Sequence, residues 1–528
     1  MRRRLSALTV SALILAAALS AGCAPPGPAV ITGPFASLLA SSTDLGPSRA
    51  GDAQLTVTLP SPNRPDALTS WATARGLWVR WHPGDQWAIV EGGADDVARA
   101  FDVPVNDYRG RRGQVFYASP QEPAIPTALR DVVTGLGRIM GYTPHRTKRP
   151  VILPRDVPKG GLRPSGVLDA YNAGPLVKEG HTGKGATIVF FEFDGFDQND
   201  LDKYADTSGL PRFTPEVIGG VADEAHGETT MDLQVAHAIA PDAHLVYINA
   251  RPTLEGDGAY EKIGRMFSDA DRRFPGAVWS LSIGWACDKF VNATDLAPVV
   301  AALAKAQEHG TTAFDATGDN AGLECKGADE WSSPPGPDDV GLDAISSLPA
   351  MTAVGATTLS VGPRGQWLAE YAWFDSPLSQ GSSGGVSALF ERPRWQDRIL
   401  ADRDTSRHRL SPDVAAVGDP LTGVRFIFGQ NEYVGAGTSQ AAPIWAALTV
   451  LMNQYMKANG GRPLGNINPL LYRVAAGADL PGFRDVRLGG NAVDLSQPGY
   501  DVVTGLGSPN TYNLAQNFLK MQSQVTPG

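Results

Sequence analysis

From residue 186 to residue 458 short apolar runs alternate with amphipathic stretches, and this alternation restricts the fold more than any other feature of the chain. ATIVFFEF, HLVYINA, VWSLSIG, TTAFDAT and MTAVGATTL have strand length and are apolar almost throughout. TTMDLQVAHAIA, LAPVVAALAKAQEHG and SQAAPIWAALTVLMNQYMKA place apolar residues at helical spacing. Strands without a polar face need cover on both sides, which a parallel sheet wrapped by helices provides. The expected class is therefore α/β, with a doubly wound, mostly parallel sheet. In such sheets chemistry sits beyond the C-terminal ends of the strands.

The 528 residues are too many for one ordinary domain. Residues 1–22 read as an export signal, with Arg2, Arg3 and Arg4 ahead of the apolar LSALTVSALILAAAL. LSAGC resembles a bacterial lipobox, which makes Cys23 a candidate for lipidation. The expected location is then extracellular, or the outer face of the cell membrane. Residues 23–50, rich in Pro, Gly, Ser and Ala, read as a tether. Residues 51–145 alternate strands and helices and predict a small α+β domain. Residues 146–166, with four prolines and many cations, read as an exposed linker and processing region. The rest, 167–528, carries the long alternation. A net charge of −10 argues against nucleic acid as a partner.

GAGTSQAAP at 435–443 sets Ser439 just ahead of a helix, where the positive end of the helix favours developing negative charge. GSSGG at 381–385 fits a nucleophile-elbow pattern around Ser383, but no strand precedes it. Ser439 needs a base. Asp194, His226 and Ser439 follow the chain order Asp, His, Ser of subtilisin-type proteases. The alternative lies on the next helix, where Glu228 and Asp232 are four residues apart and share a face. Like charges at that spacing are costly unless they share protons or do chemistry. Asp319 in TGDNAG is a third candidate acid.

Taken together, HGETTMDLQVAHAIAPDAHL, VWSLSIG, TGDNAG, MTAVGATTLS, SSGGVSALFERPRWQ, LSPDVAA and GAGTSQAAPIWAAL resemble the sedolisins, or serine-carboxyl peptidases, in family order over about residues 166–515. VARAFDVPVNDYRG and EPAIPTALRDVVTGLG resemble that family's inhibitory propeptide, here shortened at its start. The resemblance implies a subtilisin-like peptidase domain behind a ferredoxin-like prodomain, made as a zymogen and acting as an acid endopeptidase on proteins or peptides. It implies Ser439 as nucleophile, Glu228 as base, Asp232 as its orienting partner, and a protonated Asp319 in the oxyanion hole. Thr317 stands where the family usually has Ser. A carboxyl base suits acid. Imidazole, with an unperturbed pKa of about 6.5, is cationic there, whereas glutamate at about 4.3 can still accept a proton. A non-enzymatic alternative is a peptide-binding lipoprotein on a retired peptidase scaffold, which the presence of all four residues opposes.

FRDVRLGGNAVDLSQPGYDVVTGLGSPN at 483–510 resembles the family's calcium loop. The resemblance implies one structural calcium ion held by Asp485 and Asp501 with backbone oxygens of Val486, Gln497 and Gly499. Gln497 replaces a usual glycine. Cys287 and Cys325 form an even pair in an exported chain, for which a disulfide is the default expectation.

Overall fold

The computed structural model describes residues 29–524 apart from 112, 144, 148–159, 327–335, 364, 376–379 and 401–405. The export signal, Cys23 and most of the linker lie outside the described residues. No helix among the described residues is long and apolar enough to cross a membrane.

The first unit runs β1 (Ala53–Thr58), α1 (Asp66–Thr73), β2 (Trp78–Arg80), β3 (Trp87–Gly92), α2 (Ala94–Phe101) and β4 (Gly135–Leu136). The strands pair antiparallel in the order β2-β3-β1-β4. That is the βαββαβ arrangement of a ferredoxin-like fold. α2 buries Ala94, Val97 and Phe101 and turns Asp95 and Asp96 toward its own positive end.

The second unit holds an eight-stranded sheet. Its elements are β5 (Thr187–Glu192), β6 (Glu216–Ile218), α3 (Glu228–Ile239), β7 (His244–Asn249), α4 (Ala259–Arg273), β8 (Val278–Leu281), β9 (Ile283–Trp285), α5 (Ala297–Glu308), β10 (Thr312–Ala316), β11 (Thr352–Val361), β12 (Trp367–Ala372), β13 (Val414–Val417) and α6 (Thr438–Ala458). The sheet order is β6-β7-β5-β8-β10-β11, with β12 and β13 both paired to β11 and only β12 antiparallel. β9 lies outside this sheet. Along β5, Ile188 and Phe190 enter the core shared with α3 and α6, while Val189 and Phe191 enter the core under α4 and α5. This two-sided burial is why the strands show no polar face. The chain winds from β5 to β7 on one side and to β8 on the other, so the strand order reverses at β5 and opens a crevice there.

The tether reading of 23–50 needs correction for its second half. Residues 29–47 form a short strand, a helix at Pro34–Ala40 and a strand at Thr43–Pro47. Ile31, Phe35 and Leu39 share a buried cluster with Tyr108 and Phe116 of the first unit and with Cys287 and Phe290 of the second. A four-residue spacing of apolar side chains outweighs the Pro/Gly/Ser composition.

The first unit is bound to α4 by charge. Arg80 meets Glu261 at 2.7 Å and Glu91 at 2.8 Å, and Arg265 meets Asp85 at 3.0 Å while lying over the Trp87 ring. Beyond it, His145–Thr147 pairs antiparallel with β9 in the register His145 to Trp285 and Thr147 to Ile283. The linker therefore begins on the rim of the crevice. Its far end is also anchored, since Leu162 is buried and its N–H donates to the Gly423 carbonyl at 2.6 Å.

Candidate active site

Ser439 lies in the first turn of α6 and is 1% exposed. Gly437, the residue before the helix, has φ 91°, and a Cβ there would lie 2.7 Å from Asp319 Oδ2. Glycine is thus required on two counts, conformation and close approach. Its N–H donates to the Gly418 carbonyl at 2.7 Å and fixes the entry into α6.

α3 is buried along its whole length, so its polar residues lie in the core rather than in solvent. Asp194, just past β5, accepts the N–H groups of His226 at 2.7 Å and Thr229 at 3.1 Å. It satisfies donors at the start of α3 that would otherwise be orphaned. Glu228 then faces Ser439. The hydroxyl favours the charged carboxylate, yet neither group completes a hydrogen bond of full geometry. Such looseness is common between a nucleophile and its base before reaction. Asp232, one turn on, receives a contact from Ser282 Oγ, and the same oxygen lies 3.0 Å from the Ser439 carbonyl. Burial and then the neighbouring Asp232 raise the Glu228 carboxyl well above its usual range. Glu192, at the end of β5 and fully buried, is raised by burial and by Asp232 and Glu228. These acids cannot all be ionised together.

Asp319 follows β10. Its Oδ1 accepts both the N–H of Thr438 at 2.8 Å and the Thr438 hydroxyl at 2.9 Å. The residue beside the serine thus holds the third acid. The loop is braced from behind by Glu324, whose Oε1 accepts the Asn320 N–H at 3.1 Å and the Ser383 hydroxyl at 2.6 Å. Ser383 is therefore a buried brace of this loop, and the elbow reading fails. Cys287 and Cys325 are bridged with Cα atoms 5.0 Å apart, tying the end of β9 to this loop. Closing 38 residues stabilises by about 4 kcal/mol on the chain-entropy account.

The crevice thus brings Ser439, Glu228, Asp232 and Asp319 together. It does not assemble the imidazole alternative. The Asp194 carboxylate is taken up by backbone donors, and the His226 ring, about one-third exposed, pairs with Glu224 at 3.5 Å. Sequence reasoning missed Glu192, Ser282 and Glu324. A lone Glu ending the apolar run TIVFFE is a visible signal for the first. The other two have no sequence signal apart from the loops that fold around them.

In the C-terminal loop the Gly499 N–H lies 3.1 Å from both Asp485 oxygens, and the Gln497 N–H lies 3.2 Å from Asp501 Oδ2. Two carboxylates thus converge on one turn. Burial pushes the Asp501 carboxyl up to about 6, although it accepts N–H groups from Val503, Thr504 and Gln497. A buried carboxylate beside a second one and a turn of backbone is a donor set that fits a hard cation. Val486 is buried beside them. The loop abuts the segment under Asp319: Ser382 Oγ donates to the Val503 carbonyl at 2.8 Å, and the Ser383 N–H donates to the Gly318 carbonyl at 3.0 Å.

A sequence profile for the pro-kumamolisin activation domain matches residues 56–139. Kumamolisin of a Bacillus species (strain MN-32) is 30% identical over 496 residues, covering 87% of this chain and 84% of the relative. A tripeptidyl-peptidase of Aspergillus fumigatus is 24% identical over 537 residues, covering 86% and 84%. Among solved structures, a Pseudomonas sedolisin, a serine-carboxyl proteinase complexed with pseudo-iodotyrostatin, shares the fold with TM-score 0.56 at 22% identity, covering 68% of this chain and 98% of its own. A doubly wound sheet with a serine and buried acids at its crevice, behind an activation domain, defines a serine-type peptidase zymogen. The chain belongs to the sedolisin family of serine-carboxyl peptidases.

Proposed function

We propose that the protein is exported as a zymogen and, once processed, cleaves peptide bonds in acid as an endopeptidase. Ser439 Oγ attacks the scissile carbonyl while Glu228 takes its proton and later returns it to the leaving amine. Asp232 holds Glu228 in place. Asp319, protonated, donates a hydrogen bond to the oxyanion beside the N-terminus of α6. The observation that carries this reading is the contiguous contact from Glu228 to Ser439 to Thr438 to Asp319, without an imidazole in it. The acids form one coupled set and titrate together. Incubating the precursor between about pH 3 and pH 8 tests the reading. Wild type is expected to release a new N-terminus within residues 146–166 in acid. Ser439→Ala is expected to stay intact, and its self-processing would overturn the assignment.

The prodomain is the inhibitor in this reading. The strand that follows it, His145–Thr147, lies along β9, one residue beyond Ser282, where an extended substrate would otherwise pair. Asp485 and Asp501, with carbonyls of Val486, Gln497 and Gly499, would hold one structural calcium ion, which supplies charge neutralisation to the loop. Chelation is expected to lower the melting temperature by several degrees, because the loop supports the segment beneath Asp319. An unchanged melting point with EDTA would count against the ion. Export through residues 1–22, to the extracellular space or with lipid on Cys23 to the outer face of the cell membrane, completes the proposal.

A further inference from the structure

Ser439 carries a carbonyl whose regular α-helical donor is missing. In an α-helix the carbonyl of residue i accepts the N–H of residue i+4. For Ser439 that residue is Pro443, inside α6 and without an N–H. Both residues are buried, so water does not readily replace the missing donor. Ser282 Oγ stands at 3.0 Å from this carbonyl and also contacts Asp232 Oδ2. A serine hydroxyl has one proton to give and two lone pairs with which to accept. A carbonyl can only accept. If the proton serves the carbonyl, the contact with Asp232 needs a proton from the other side.

We propose that Ser282 is a positioning residue that donates to the Ser439 carbonyl and accepts from Asp232, so that Asp232 is held as the neutral acid in the resting enzyme. The proline of the GTSQAAP stretch then has a role in the chemistry. It frees the carbonyl of the nucleophile from the helix ladder and engages the one proton Ser282 can offer. With its own proton directed to Ser282, Asp232 presents an acceptor to Glu228 when Glu228 takes the serine proton. Glu228 on the same helix and Glu192 at the end of β5 interact directly with Asp232, while Asp194 acts on both of these acids and Asp319 on Glu228. A negative charge on Glu228 or Glu192 favours keeping the Asp232 proton.

The inference rests on the serine-carboxyl reading, and its test is the pH dependence of kcat/KM in variants of the mature enzyme. Ser282→Ala removes the acceptor of the neutral acid. The alkaline limb of the bell is expected to move acidward by roughly half a pH unit or more. Donation from Ser282 to an ionised Asp232 would give the opposite sign, and a limb that rises or stays still overturns the proposal. Pro443→Ala offers a second route that adds helix propensity, should the first variant fold poorly. It returns an N–H to the Ser439 carbonyl and releases the Ser282 proton toward Asp232. Its limb is also expected to move acidward, but not further once Ser282 is already Ala. Additive shifts in the double variant, or no shift in Pro443→Ala alone, overturn the proposal. Failure of the underlying reading is distinct, because wild type itself would then lack acid activity.

Discussion

Glu228→Gln is expected to lower kcat by roughly a thousandfold or more near pH 4, whereas His226→Ala leaves it within a fewfold of wild type. Glutamine fills the same volume beside Ser439 but cannot take its proton at any pH. Folding is expected to survive, because the carboxyl sits in a buried acidic cluster that already disfavours its charge. The variant cannot process itself, so its prodomain must be removed by added wild-type enzyme before assay. His226 offers a clean contrast. Its ring faces Glu224 at the surface, and only its backbone N–H takes part in capping α3. If His226→Ala were inactive and Glu228→Gln active, Asp194, His226 and Ser439 would have to be reconsidered as the triad.

Asp319→Asn and Asp319→Ala are expected to separate. Loss of an oxyanion donor costs roughly a hundredfold to a thousandfold, which is the expectation for Ala. Asn should recover much of that. Both Thr438 contacts fall on Oδ1, so the amide oxygen can keep them while the amide nitrogen takes the place of Oδ2 and donates. An amide donates whatever the pH, whereas a carboxyl does so only when protonated. The Asn variant should therefore keep its activity to higher pH than wild type. The same pH profile in both enzymes, or equal losses for Asn and Ala, would mean that Asp319 does not donate to the oxyanion.

Much of this was legible in the sequence because the sheet has two buried faces. Its strands read as unbroken apolar runs, and their alternation with helices gives the doubly wound order and a crevice beyond β5. The three candidate acids and the serine were legible because each sits past a strand end or in the first two turns of a helix. Residues 29–47 were harder to read. Their composition suggests a tether, and the spacing of Ile31, Phe35 and Leu39 matters only once Tyr108, Phe116 and Phe290 supply a surface to cover. Ser282 and Glu324 were hidden for a related reason. A serine within VWSLSIG carries no chemistry until the fold lays it against Asp232 and against a carbonyl orphaned by a proline 161 residues away. Glu324 becomes a brace only when Ser383, distant in sequence, reaches its carboxylate.

The central claim is that a carboxylate activates Ser439 while a neutral acid beside it receives the oxyanion charge. The most direct test is the pH dependence of kcat/KM for the mature wild-type enzyme on a peptide substrate. The expected result is a bell with its maximum on the acid side of neutrality and activity falling as the pH rises toward about 8. A rate that climbs steadily to about pH 8 would contradict it, because that is the behaviour of an imidazole base.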